Sequence, residues 1–275
     1  MTEAAGNVDS STVDTSVPHP ARRYNYWLGG KDNFAADRES ADAIEAVFPH
    51  IRTAAVENRR FLGRAVRALT QEYGIRQFLD VGTGLPTADN THQVAQRIDP
   101  TSHVVYVDND PLVLTHARAL LTSDPRGRTA YIPADLREPG RILTNPDLAA
   151  TLDLGRPVAV MLIAVLHFVH DDDEANAAIA TLMGALPPGS FLALTHATAD
   201  FLPPEIAAAL TSGKVKGAGS FEGRSRAQIT RLLDDNGLEL LEPGLTVASE
   251  WRPDPGVTPP PAEHVSVYGA VARKP

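Results

Sequence analysis

The chain has no cysteine among its 275 residues, which excludes disulfides, thiolate metal sites and a thiol nucleophile. It is also short of positive charge. Twenty-five Lys and Arg stand against 34 Asp and Glu, a net charge of −9 with no basic block. Nucleic acids and anionic membrane surfaces select basic patches, so neither is expected as a partner. Long apolar runs are missing too. The most apolar stretch, Val158 to Leu166, falls far short of the roughly 20 residues that cross a bilayer. Met1 to Val17 has no apolar centre of the kind a secretion signal carries. A soluble cytoplasmic protein is the expectation. There is no Gly-x-Ser-x-Gly elbow, which speaks against a Ser–His–Asp hydrolase, and no Gly-Lys-Ser/Thr phosphate loop.

What the chain does have is centred on Phe78-Leu-Asp-Val-Gly-Thr-Gly-Leu-Pro-Thr87. Phe78 to Val81 reads as a short buried strand. Gly82 and Gly84 permit a tight turn and a close backbone approach that side chains would block. Pro86 and Thr87 suit the start of a following helix. His103 to Asp108 is a second strand, and its terminal acid lies 24 residues after Gly84, where a carboxylate is placed to accept from two ribose hydroxyls. Tyr131 to Asp135 is a third strand ending in an acid. Parallel strands present their carboxyl ends to one crevice, so Asp80, Asp108 and Asp135 are expected to converge there. The dinucleotide fingerprint needs a third glycine at position 87, which is Thr.

Asp80-Val-Gly-Thr-Gly84, Val107-Asp-Asn-Asp-Pro111 and Ala134-Asp-Leu-Arg137 together resemble the class I methyltransferases that use S-adenosylmethionine. A further segment, Ala21-Arg-Arg-Tyr-Asn-Tyr-Trp-Leu-Gly-Gly-Lys-Asp-Asn-Phe34, is similar to the signature of an actinobacterial family of such enzymes, long known only as a domain of unknown function. The family commonly has Asp where this chain has Asn25. The resemblance runs from Pro18 to the end. It implies an α/β fold: a seven-stranded, mostly parallel sheet with a reversed last strand and an N-terminal helical cover. It implies S-adenosylmethionine as cofactor, with Asp80, Gly82 and Gly84 at its methionine part and Asp108 on its ribose. Asp135, followed by Leu136, would meet the adenine edge, Asn109 would flank the adenine, and the carbonyl near Ala164 would take the methionine amino group. No metal is called for.

His167, at the end of the fourth strand, is the candidate general base because imidazole titrates near neutrality; His170 and His196 are alternatives. Tyr24, Tyr26 and Trp27 are candidates for a substrate wall. The acceptor is expected to be a small molecule. Two rival readings stay open: an NAD-dependent oxidoreductase, for which Asp108 would serve equally well, and a protein that binds S-adenosylmethionine without turning it over.

In chain order, residues 1–17 read as a disordered tail and 18–275 as one domain, with an arm and helices over 18–75 and the sheet core over 76–275. Ala36 to Phe48 and Ile51 to Tyr73 carry helical periodicity, the second through Val56, Leu62, Val66, Leu69 and Tyr73. Helices are expected over Ala88 to Ile98, Asp110 to Leu121, Ile142 to Leu152 and, capped by the acids from Asp171, up to Leu186. Pro157 to His170 reads as a central strand and Ser190 to His196 as a fifth. A short helix and a Gly/Lys loop over 203–219 are read as an excursion over the site. Ser225 to Asn236 is a capped helix. Leu238 to Val247 and His264 to Ala272 form a closing antiparallel pair, because their link is too rich in proline to be a crossover helix.

Overall fold

The computed structural model describes residues 14–120, 122–212, 214–218 and 221–275. The expected tail over 1–17 therefore lies mostly outside the described residues. Its last four are tied to the body: the Arg22 guanidinium donates to the carbonyls of Asp14 and Val17 at 3.0–3.3 Å.

Three helices come first, α1 (Pro20–Trp27), α2 (Ala35–Val47) and α3 (Ile51–Gln71). His19 and Pro20 start α1, the ring nitrogen capping Ala21 and proline filling a position whose N–H needs no partner. The double-glycine turn after α1 closes on Asn25. Its Oδ1 accepts from the Asp32 N–H at 3.1 Å and the Asn33 side chain at 3.0 Å. A Cβ on Gly30 would lie 2.3 Å from the Asn25 amide. Asn25 thus acts through acceptance alone, which Asp also provides. Asn25→Asp should leave the melting temperature within a few degrees, whereas Asn25→Ala should lower stability by about 1–3 kcal/mol by orphaning two donors; chemical denaturation of the two variants measures it.

The sheet alternates with helices: β1 (Gln77–Val81), α4 (Thr91–Ile98), β2 (His103–Asp108), α5 (Pro111–Leu120), β3 (Arg128–Pro133), α6 (Pro139–Leu143), α7 (Pro146–Thr151), β4 (Ala159–Ile163), α8 (Asp172–Gly184) and β5 (Phe191–Ala197). Then come α9 (Pro204–Thr211), α10 (Arg226–Asp235), β6 (Glu239–Leu240), β7 (Thr246–Val247), α11 (Ala262–Val265) and β8 (Val267–Arg273). Strand order is β3-β2-β1-β4-β5-β8-β6, with β7 also on β8. The first five strands are parallel, while β8 runs antiparallel to β5, from Phe191 opposite Arg273 to Ala197 opposite Val267. This is the doubly wound arrangement, with a reversed last strand, that the resemblance implies. The sheet has eight strands rather than seven. The single strand expected over Leu238 to Val247 is broken into β6 and β7, because the turn at Pro243 and Gly244 takes the chain off the ladder.

Both sheet faces are covered. One core joins β1, β2, β4, β5 and β8 to α8 and α10 through Leu79, Val105, Leu162, Ile179 and Ile229. The other seats α3 and α4 on the opposite face through Phe61, Leu69, Phe78, Val104 and Trp251. The strands are buried on both sides, which is why they read as nearly continuous apolar runs. The helical stripe of α3 is rotated from its sequence reading. Leu62, Val66 and Leu69 are buried as expected, but Val56 and Tyr73 are exposed, and α3 stops before Tyr73. A third, smaller cluster of Ile44, Phe48, Ala54 and Leu210, with Trp27 against it, binds α9 to the N-terminal helices.

Candidate functional site

At the carboxyl ends of β1, β2, β4 and β5 the N-terminal helices roof a cleft of about 380 Å³, a size typical of small-ligand sites. The structure brings Asp80, Gly82, Gly84, Asp108, Asn109, Asp135, Leu136 and Ala164 onto it, and from the substrate and catalytic candidates Tyr24, Trp27 and His167. Tyr26 stands outside this lining. Its ring lies under Arg52 and its hydroxyl donates to Asp42 at 3.0 Å, because one residue along α1 turns the side chain by about 100°.

The glycine turn is built around the end of β2. Gly82 and Thr83 donate their N–H groups to the Val107 carbonyl at 2.8 and 3.2 Å, and Gly84 donates to Asp108 at 2.9 Å. Both glycines have positive φ, 74° and 68°. A Cβ on Gly82 would stand 2.2 Å from a Val165 methyl, whereas one on Gly84 would meet nothing within 4 Å. Gly82 lets two loops touch, and Gly84 leaves the cleft open. The helix after the turn starts at Thr91, later than expected. Pro86 and Thr87 remain in the loop, and the cap is Asn90, whose N–H donates to Gln93 at 2.9 Å in a capping box.

The three acids differ in chemistry. The Thr91 hydroxyl donates to one Asp80 oxygen at 2.6 Å, and burial pushes the carboxyl up to about 6. Asp108 is likewise pushed up to about 6 by burial, although the N–H groups of Asp110 and Gly84 both donate to it. Asp135 is held well below the usual carboxylate range by Arg137. One of its oxygens takes the Arg137 N–H and Nε, both at 2.9 Å, and the other takes Arg137 Nη2 at 2.7 Å and Asn109 at 2.8 Å. Four donors fill its lone pairs, so the expected adenine-edge acceptor is committed to Arg137 and Asn109.

β4 ends four residues before His167, which sits in a 3₁₀ turn, Leu166–Phe168. Between them Ala164 has φ 54° and donates its N–H to the Thr195 hydroxyl at 2.8 Å. A left-handed non-glycine residue at the rim of a cleft is local strain of the kind ligand sites hold. His167 Nδ1 is buried with no hydrogen-bond partner. Burial first, then His196, Arg224 and Arg23, hold the ring well below its ordinary pKa, so it is neutral at physiological pH. The alternatives lie elsewhere: neither His170 nor His196 is among the lining residues. His196 is fully buried and donates through Nδ1 to the Ala197 carbonyl, so its Nε2 accepts from Arg224 at 2.9 Å.

Sequence reasoning did not single out Arg224, the residue that holds this wall together. Its fully buried guanidinium donates to the carbonyls of Leu166 (3.3 Å) and Val169 (2.8 Å), to Asp172 (2.6 Å) and to His196. It thereby fixes the loop after β4 to β5 and to the segment before α10, which brings Phe221 beside His167. The N-terminal lining was also missed. Ile51, Ala54, Ala55, Asn58, Arg59 and Leu62 line the cleft, and their three- and four-residue spacing is one face of α3; that periodicity was the available signal. Arg23 comes from α1 and His19 from its N-cap, and burial lowers Arg23 to about 10.

Solved structures share this architecture. A DUF574 family protein from Streptomyces avermitilis is 45% identical, with 95% of this chain and 99% of that one covered and a TM-score of 0.86. A protein from Thermobifida fusca, proposed to be a methyltransferase, is 42% identical over 95% and 96% of the two chains, again with a TM-score of 0.86. An O-methyltransferase family protein from Burkholderia thailandensis, 15% identical over 94% of this chain and 64% of that one, shares the fold at a TM-score of 0.54. No functionally curated protein matches the chain. The family model described as S-adenosyl methyltransferase matches residues 6–275. The chain belongs to that family, and the enzyme is an S-adenosylmethionine-dependent methyltransferase.

Proposed function

We propose that the enzyme methylates a small, largely apolar acceptor bound on the Trp27–His167 side of the cleft. The observation that carries this reading is the division of the lining. The end at β1 and β2 holds the glycine turn, Asp80, Asp108 and Asn109; the end at the N-terminal helices and the loops around His167 holds Trp27, Ile51, Ala54, Phe168 and Phe221. A charged, hydrogen-bonding cofactor belongs at the first end and an apolar acceptor at the second.

The residues present fit the cofactor. The open space beside Gly84 admits a ligand against the backbone. Asp108, with an N–H donor on each oxygen, keeps a second lone pair on each for ribose hydroxyls. Asp80 supplies a buried negative charge for the methionine ammonium. Bound there, S-adenosylmethionine supplies an electrophilic methyl group on a sulfonium. The chain's own work is to orient the acceptor's lone pair toward that methyl and to exclude water. A neutral His167 is placed to accept a hydrogen bond from the acceptor. As an imidazolium it would be buried near Arg224 and Arg23 with nothing opposite Nδ1. Its part is therefore orientation, and the acceptor's proton leaves by another route.

The raised carboxyls give a pH signature. Asp80 and Asp108 have folded pKa values near 6 against 3.8 in the unfolded chain, so without ligand the neutral forms are favoured below pH 6, and the stability they carry is fully present below 3.8 and lost as pH rises through 6. An ammonium and donating hydroxyls favour the ionised forms. Binding is therefore expected to strengthen as pH rises through 6 and level off near 7, with Kd growing up to tenfold per unit below 6 for each carboxylate. Asp80→Asn should flatten this dependence.

Calorimetric titration with S-adenosylmethionine, with NAD as control, tests the cofactor end. A labelled-methyl screen of small apolar acceptors against peptides and nucleic acid tests the other. Methylation confined to the small molecules is the expected result; methylation of the macromolecules alone would overturn the acceptor assignment.

A further inference from the structure

We infer that Arg59, on the cleft face of α3, anchors the carboxylate of the cofactor's methionine part and so forms a charge-complementary pair with Asp80. The inference rests on the cofactor placement proposed above. A zwitterionic amino-acid tail carries one anion, and that anion must find donors.

The glycine turn does not provide them. The N–H groups of Gly82 and Thr83 are given to the Val107 carbonyl and that of Gly84 to Asp108. The helix that follows begins beyond the turn, at Thr91, behind an Asn90 cap. Three arginines line the cleft. Arg137 is locked on Asp135, at the end of β3. Arg23 donates to Ser40 at 3.3 Å, and its charge is felt by His167, on the acceptor side. Arg59 is the arginine whose charge is felt by Asp80, which puts it beside the group proposed to meet the methionine ammonium.

Its side chain is already oriented there. Nη2 donates to Asn90 Oδ1 at 2.9 Å and to the Ala88 carbonyl at 3.4 Å, tying α3 to the glycine loop. Nε is buried and has no hydrogen-bond partner, an uncommon state for a charged group's donor. A carboxylate accepting from that edge would satisfy it through a charge-assisted bond. Asp80 and Arg59 then meet the ammonium and the carboxylate respectively, and each protein charge keeps the other's ligand group from being repelled.

The test compares two probes by calorimetry: S-adenosylhomocysteine, which keeps the carboxylate, and decarboxylated S-adenosylmethionine, which keeps the ammonium but lacks the carboxylate. Arg59→Gln should weaken the first roughly 10- to 100-fold, the loss of one charge-assisted pair, and leave the second within about twofold. Arg59→Lys should recover part of the loss. Equal weakening of both probes would make Arg59 a strut for the glycine loop and overturn the anchor. So would unchanged binding of S-adenosylhomocysteine by Arg59→Gln. If the unaltered enzyme binds neither probe, it is the cofactor placement that fails. Should Arg59→Gln not fold, Arg59→Lys compared on the same two probes decides: it must weaken only the probe with the carboxylate.

Discussion

Gly84→Val is expected to abolish cofactor binding while leaving the protein folded. A Cβ at this position would meet no protein atom within 4 Å, so the side chain starts into open space. A non-glycine residue at φ 68° costs roughly 1–2 kcal/mol of backbone strain, which a domain of this size survives. The branched side chain then stands in the cleft, where the ligand must approach the backbone. Calorimetry should find S-adenosylmethionine binding reduced at least about 100-fold, the scale of a lost close approach plus displaced contacts, with a cooperative unfolding transition retained. Gly82→Ala separates the two glycines. Its Cβ would stand 2.2 Å from Val165, so the turn and the loop after β4 must part, and this variant should lose stability as well as binding. If Gly84→Val binds like the parent, the cofactor does not pass the glycine turn.

Arg224→Met should produce the largest loss of stability. The guanidinium is fully buried and donates to three carbonyls, of Leu166, Val169 and Asp171, to the His196 ring and to Asp172. Removing it orphans the acceptors on Leu166, Val169 and His196, all buried residues, and such losses run to about 3–5 kcal/mol. Little of this comes from the ion pair itself. The Asp172 side chain is 48% exposed, so Asp172→Asn should cost under about 1 kcal/mol. His196 adds a pH dependence. Burial lowers its pKa to about 4 against 6.5 unfolded, so the stability from keeping it neutral is present above 6.5 and declines as pH falls toward 4. Guanidinium chloride titrations of the parent, Arg224→Met and Asp172→Asn measure these differences. Equal midpoints for parent and Arg224→Met would show that the acceptors find other partners and that the loop after β4 does not depend on Arg224.

Legibility in the sequence followed the range of the interactions. The glycine turn and the acids at strand ends could be read because each depends on a few consecutive residues. Gly82 and Gly84 have positive φ, and Asp80, Asp108 and Asp135 reach one edge because parallel strands carry them there. The helix boundary after the turn was misplaced because two signals competed. Pro86 and Thr87 suit a helix start, but Asn90 and Gln93 form the better cap. The rotated stripe of α3 has a similar cause. This helix faces the sheet core along one side and the cleft along another, so its buried arc is wider than a single stripe, and Val56 falls outside it. The split of the expected sixth strand into β6 and β7 depends on pairing with β8, which lies at the other end of the closing segment.

The sequence by itself determined the class of fold and the glycine-turn end of the cleft, because turn geometry and strand periodicity are local and leave a spaced pattern. Only the tertiary structure decided the rest. Asp135 proved to be filled by Arg137 and Asn109, Tyr26 turned away while Tyr24 and Trp27 faced the cleft, and Arg59 and Arg224 took their places beside the glycine turn and His167. These positions arise from packing between segments far apart in the chain, where side-chain direction is set by the neighbours that desolvate it and not by the residues next to it.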